Sequence, residues 1–265
     1  MTTYISPIAY PILKQQSKSR VLLDTSQYDL NDFTHIYSTS QHHRIVDTHG
    51  NILAYRYQIP DNLYDQLVAS EAILPTVQSK ATVRGAFQHR HYALWKDYAP
   101  KPFLSAQYCS QLPNSQQWLD ANAALFKRLS ENLRFIDPYM YVKFNSVRKY
   151  LPANTQPLCG AWFGVAINQG QTDETSIHQD WGDYYRGYNT VVPWGDYTDG
   201  QLILWQLKVV YHLVPKDVLM FYGRLIVHNV VGIEGGIRNT LDLFCHENMF
   251  RWKKEEDRKR RGVEL

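Results

Sequence analysis

The sequence predicts a mostly β chain with some helix (α+β), a sandwich or jelly roll with buttressing helices, and three observations carry that expectation. From Cys159 onward, short apolar runs recur at close spacing between turn residues, the pattern of a sandwich or jelly roll. One amphipathic stripe between about residues 114 and 136 is long enough for a helix that packs against a sheet. Aromatics are abundant, with 19 Tyr and 7 Trp in 265 residues, which suits pleated, half-buried surfaces.

Residues 1–110 read as a mixed N-terminal extension. Arg44–Val46 and Ile52–Tyr57 flank the turn cluster Thr48-His49-Gly50-Asn51 and predict a hairpin. Asp61, after Pro60, is placed to cap a helix reaching about Leu74, with Leu63, Leu67 and Leu74 on one face and Pro75 closing it. The region 111–252 reads as a core domain. It opens with a helix from Asn114 or Ser115 to Ile136, striped by Trp118, Leu125, Leu129, Leu133 and Ile136 and ended by Asp137-Pro138. Strands are then expected at 161–167, 189–192, 201–205, 209–213, 218–222, 225–227 and 239–244, with Pro215-Lys216-Asp217 as a turn. Residues 253–265 form a charged tail, read as a solvated helix or frayed end.

A hydrophobic fraction of 44% is ample for a core. The 28 basic and 25 acidic residues give +3, which permits a polyanionic partner without demanding one. Cys109, Cys159 and Cys245 are odd in number, widely spaced and without a C-x-x-C, so neither a disulfide framework nor a zinc ribbon is expected. The first residues carry no basic leader, and Pro7 and Pro11 interrupt their apolar positions. An intracellular, cytoplasmic or nuclear, non-membrane protein is the expectation.

His178-Gln179-Asp180, followed by His228, then Arg238 and Thr240, carries the chemistry. On an extended strand His178 and Asp180 project to one face and supply two ligands, and His228, at the end of the apolar run Leu225-Ile226-Val227, supplies a third. Two imidazoles and a carboxylate cover one face of an octahedral ferrous ion and leave three positions open. A zinc hydrolase can use the same set. The cation at Arg238, with the Thr240 hydroxyl pointing the same way, favours Fe(II) and a carboxylate-bearing cosubstrate, 2-oxoglutarate, with O2 taking the remaining position.

On these residues the chain resembles the iron- and 2-oxoglutarate-dependent dioxygenases, and within them the TET and base-J-hydroxylase-like branch expanded in fungi. The resemblance covers residues 159–252. Tyr188–Leu207 looks like the central strands of fungal members, and Leu225–Val230 with Arg238–His246 looks like their closing strands. It implies a double-stranded β-helix, a dioxygenase activity, and base recognition by Asp183 and His246, which stand at the spacings where such enzymes hydrogen-bond a flipped methylcytosine. Three positions depart from the family pattern. Asp173-Glu174 lies where a cation precedes His-x-Asp, Pro215-Lys216-Asp217 replaces Pro-Gly-Asp, and Asp199-Gly200 replaces Gly-Gly.

The resemblance leaves three functions open. One is hydroxylation of a methyl group on a modified pyrimidine in DNA or RNA, with Arg84, His89, Arg90, His91 and Trp95 as a basic and aromatic entrance. Another is the same chemistry on a small metabolite or protein side chain, with Trp181, Tyr184, Tyr185 and Tyr188 walling an apolar pocket. The third is a catalytically inactive jelly-roll interaction module.

Overall fold

The computed structural model describes residues 1–18, 23–82, 85–97, 99–152, 155, 158–172 and 174–262. In chain order its elements are β1 (Thr2–Ile5), α1 (Tyr10–Lys18), β2 (Thr34–Tyr37), β3 (His43–Val46), β4 (Ile52–Gln58), α2 (Asp61–Ser70), β5 (Lys80–Thr82), β6 (Gly85–Trp95), β7 (Phe103–Leu104) and α3 (Ala106–Ser110). There follow α4 (Asn114–Ala121), α5 (Ala123–Ile136), α6 (Pro138–Asn145), β8 (Gly164–Gln171), β9 (Asn189–Leu204), β10 (Val209–His212), β11 (Asp217–Phe221), β12 (His228–Phe244) and α7 (Glu247–Arg260).

The spine of the molecule is the antiparallel pair β9 and β12, in register from His228 opposite Leu204 to Leu243 opposite Thr190. Each long strand changes its outer partner along its length. The start of β9 pairs with β11 and its end with β10, while the Arg238–Phe244 part of β12 pairs with β8. The sheet runs β1-β3-β4-β11-β9-β12-β8-β6-β5, with β10 carrying β2 off this path. It curls far enough that side chains from β6, β8, β9, β11 and β12 line one pocket.

The sequence divides these stretches into shorter runs, 189–192 and 201–205 for β9, and 225–227 and 239–244 around β12. The structure carries β9 and β12 through the intervening residues. Ladder pairing absorbs the irregularities: the register shifts between Glu234 and Gly236, and any Cβ on Gly236 (φ 95°) would lie 1.8 Å from the Asp196 carbonyl oxygen. Leu225–Val227 is not a strand; it leads into β12, which starts at His228. The predicted hairpin forms as β3 and β4, and the Asp47 carboxylate closes its turn by accepting from the amides of His49 (2.9 Å) and Asn51 (2.8 Å).

The helices form the buttress. The expected 114–136 helix is broken into α4 and α5 at Asn122, whose fully buried side chain donates to the Trp118 carbonyl (2.9 Å) and the Ser70 hydroxyl (2.8 Å). A side-chain amide that bonds its own helix backbone competes with the regular ladder there. Leu125, Phe126, Leu129 and Leu133 of α5 join the main apolar cluster with Tyr55 and Tyr57 of β4. Each such burial contributes roughly 1.5–3 kcal/mol. Asp137 ends α5 as predicted and also starts α6, accepting from the Met140 amide at 2.8 Å with Pro138 in the first turn. The helix α2 stops at Ser70 and continues to Ile73 as a 3-10 turn. The helix α7 begins before the expected tail at 253 and runs into it, anchored by buried Met249, Phe250 and Trp252. Among the described residues no helix is long and apolar enough to cross a membrane.

Candidate metal centre and its pocket

His178 reaches the pocket from the segment between β8 and β9, where it forms an isolated antiparallel bridge with His228 at the start of β12. The two exchange backbone hydrogen bonds of 3.0 and 2.9 Å, which brings their rings to 4.3 Å between centroids. Asp180, two residues on, is tied to the turn before β12 by its amide, which donates to the Gly223 carbonyl at 3.0 Å. One ligand atom from each of His178, Asp180 and His228 lies within 4.8 Å of the others, the only such group of three among the described residues.

The donor chemistry fits a divalent transition metal. His178 Nδ1 lies 2.6 Å from the Ser176 carbonyl and His228 Nδ1 lies 2.9 Å from the Ile226 carbonyl. A carbonyl only accepts, so each Nδ1 carries its proton and each Nε2 presents a lone pair. His228 Nε2 stands 3.7 Å from Asp180 Oδ2. Gly223 is required beside this carboxylate: a Cβ there would lie 2.5 Å from Asp180 Oδ2 and 2.8 Å from Asn189 Cγ.

Arg238 lines the same pocket. It is 1% exposed, its Nη1 donates to Gln171 Oε1 at 3.0 Å, and its guanidinium stands 5.8 Å from the Tyr197 ring centroid. Its Nε and Nη2 are buried with no hydrogen-bond acceptor. Among the described residues, other arginines with an unmet buried nitrogen leave only Nε unmet, whereas Arg238 also leaves a terminal nitrogen unmet. Arg56, equally buried, pairs with Asp217. A buried cation with donors left over can receive an anion from outside the chain. Thr240 lines the same wall and accepts from Asn168 Nδ2 at 3.2 Å.

Between the triad and the outer wall stand Asp183 and His246, paired as an isolated bridge with His246 Nε2 3.9 Å from Asp183 Oδ1. Burial holds the His246 imidazole well below its ordinary value, at about 4, against the pull of Asp180, so the ring is neutral at pH 7. Trp95 and Phe244 stand edge-on to it at 4.8 and 5.2 Å. The cavity they share has a volume of about 350 Å³.

Of the expected entrance cluster, His89, His91 and Trp95 line the pocket because they alternate on β6. Arg90 points to the opposite face, where it donates to Gln169 Oε1 and the Pro75 carbonyl, both at 2.5 Å. Arg84 lies outside the described residues, as does Asp173, while Glu174 is exposed and not among the lining residues. Of the four aromatics expected to wall an apolar pocket, only Trp181 does so. Tyr184 stacks on Phe250 at 4.0 Å and Tyr188 on Tyr222 at 4.5 Å, both within the core. Sequence reasoning passed over Gly223 and the part Asn189 takes in joining two carboxylates; neither has a motif, because their work depends on contacts between distant segments.

No protein-family model matches the sequence, and no curated protein does. Solved structures do. NgTET1, in complex with 5mC DNA, matches with a TM-score of 0.63 at 17% identity over 91% of this chain and 92% of that chain. The fold is the double-stranded β-helix. An oxidoreductase of the 2OG-Fe(II) oxygenase family from Burkholderia pseudomallei matches at 0.46, with 14% identity over 72% of this chain and 88% of that one. The viral collagen prolyl hydroxylase of Paramecium Bursaria Chlorella virus-1, a 2OG complex, matches at 0.38, with 11% identity over 73% and 96%.

Proposed function

We propose that this protein is an Fe(II)- and 2-oxoglutarate-dependent oxygenase that hydroxylates a methyl group of a modified pyrimidine base in nucleic acid. The observation that carries the reaction class is that one pocket is lined both by three metal-ligand side chains within 4.8 Å of one another and by the buried Arg238 guanidinium. Ferrous iron with 2-oxoglutarate and O2, when bound, supplies oxidation of an unactivated C–H bond coupled to loss of CO2 and release of succinate.

The chain's own residues prepare that chemistry. The Ser176 and Ile226 carbonyls fix the tautomer of both imidazoles, and Asp180 completes the facial set. Arg238, with Thr240 beside it, receives the distal carboxylate of the cosubstrate in a dry site where a charge-assisted pair is strong. Asp183 offers an acceptor and the neutral His246 a donor to the polar edge of a flat ring, with Trp95 and Phe244 flanking it. The likeness to NgTET1, solved with 5mC DNA, supports a base as that ring. On this reading residues 1–110 are an extension packed on a 111–252 core, residues 253–265 are a charged tail, and the protein works inside the cell.

Purified protein with Fe(II), ascorbate and 2-oxoglutarate is expected to release succinate and to oxidise methylated oligonucleotides, read by mass spectrometry. Substitution of His178, Asp180 or His228 by Ala is expected to abolish both. Succinate without oxidised base would keep the reaction class and move the substrate to a small metabolite or protein side chain. No succinate across a broad substrate panel would leave an inactive jelly-roll module.

A further inference from the structure

We infer that Asn189 is a positioning residue that couples the substrate-facing carboxylate to the metal-facing one. The inference rests on the proposed roles of Asp180 and Asp183. Asn189 is 6% exposed at the first position of β9, and its single amide nitrogen reaches two carboxylates: Asp183 Oδ2 at 2.6 Å and Asp180 Oδ2 at 3.1 Å. Ionised carboxylates only accept, so the nitrogen must face them, and its two hydrogens are divided between them.

The surroundings keep the amide in that position. Gly223 packs so closely that a Cβ there would lie 2.8 Å from Asn189 Cγ and 2.9 Å from Oδ1. The backbone of Asp183 is fixed separately, its amide donating to the Asp180 carbonyl at 2.9 Å and its carbonyl accepting from Arg224 Nη1 at 2.7 Å. Only the side chains of this four-residue turn are left to respond to a ligand, and Asn189 joins them. Its shorter bond is to Asp183, so the amide is drawn toward the substrate side. A hydrogen-bond donor on the substrate that takes up charge at Asp183 weakens that bond and releases the amide toward Asp180. The Asp180 carboxylate then gives up electron density to Asn189 and donates less to a metal. Substrate and metal thereby sense one another, and linkage makes the effect reciprocal.

The test is a double-mutant cycle on Co(II) affinity, which requires neither turnover nor substrate. Asp183→Ala weakens Co(II) binding in the native background by removing a nearby charge and by leaving Asn189 only Asp180 to donate to. In an Asn189→Leu background only the first effect remains. The loss is therefore expected to be about fivefold or more larger in the native background than in the Leu background. Equal losses would overturn the relay and leave only through-space interaction between the carboxylates. If Asn189→Leu does not fold, as judged by thermal melting, Asn189→Ser serves, since one hydroxyl hydrogen cannot bridge two acceptors. In a second arm, a methylcytosine oligonucleotide is expected to shift the d–d absorption of the Co(II) protein and to leave that of the Asn189 variant unchanged. An oligonucleotide that does not bind at all would remove the base reading, while the cycle still decides the relay.

Discussion

Arg238 and Thr240 reach the pocket from β12 where that strand is paired on both sides, to β9 and to β8, and they are 1% and 4% exposed. Asp180 and Asp183 reach it from the segment between β8 and β9, outside any strand, held by isolated bridges to His228 and His246 at the two ends of β12 and by the turn at Gly223. Arg238 and Thr240, the residues proposed to hold the cosubstrate, thus sit on a ladder that cannot shift without breaking a row of backbone bonds. Asp180 and Asp183 sit on a loop tied down at separate points, by isolated backbone bridges to His228 and His246 and by one backbone bond to Gly223. Chemistry common to any substrate belongs on the rigid part, and recognition of one substrate belongs where sequence can vary without unpairing a sheet.

The sharpest way to break this division is at Arg238. Arg238→Ala is expected to raise the 2-oxoglutarate KM by about a hundredfold or more, the cost of removing one partner of a buried charge pair. Co(II) affinity should stay near native because the triad lies on other contacts. A parallel loss of Co(II) affinity would show that the two parts are mechanically one. Gly223→Ala probes the loop part: its Cβ would press 2.5 Å from Asp180 Oδ2, so metal affinity is expected to fall roughly 10–100-fold, with cosubstrate KM spared once metal is saturating.

The same contrast explains what was legible in the sequence. His228 is read from its place at the end of the apolar run Leu225–Val227, Arg238 and Thr240 from their distance beyond it and their two-residue spacing, and His178 with Asp180 from the same spacing; all are local patterns. The hairpin of β3 and β4 and the jelly-roll class were legible for the same reason. Local patterns misled where tertiary pairing overrode them: Asp196–Gly200, which lies between two predicted runs, was held in β9 by its partner, and Asn122 broke a continuous stripe through a contact with Ser70. For the tyrosines after Asp180 the sequence left pocket wall and ordinary packing both open, because nothing local says that Phe250 stacks on Tyr184 and Tyr222 on Tyr188 in the core.

With iron saturating, so that any loss of metal affinity is masked, Asp183→Ala is expected to raise the prime-substrate KM roughly tenfold while uncoupled succinate formation persists, since one base-edge hydrogen bond is worth about 1–3 kcal/mol. An equal fall in uncoupled turnover would place Asp183 with the metal ligands and blur the boundary between recognition and chemistry.

The smallest effect expected is a pH dependence at the loop end. His246 titrates at about 4 in the folded chain, against about 6.5 when unfolded, because burial disfavours its charged form. The unfolded chain therefore binds more protons between these values. The stability tied to the neutral ring is fully present above pH 6.5 and is lost as pH falls toward 4. The side chain keeps 29% of its surface in water, so the loss is on the order of 1–2 kcal/mol rather than the full value of the gap. In metal-free protein, the melting temperature of the native chain should drop relative to His246→Gln between pH 7 and pH 4.5. Parallel curves would mean that His246 is solvated in the free protein, and that the recognition end of the pocket is dry only once a substrate ring covers it.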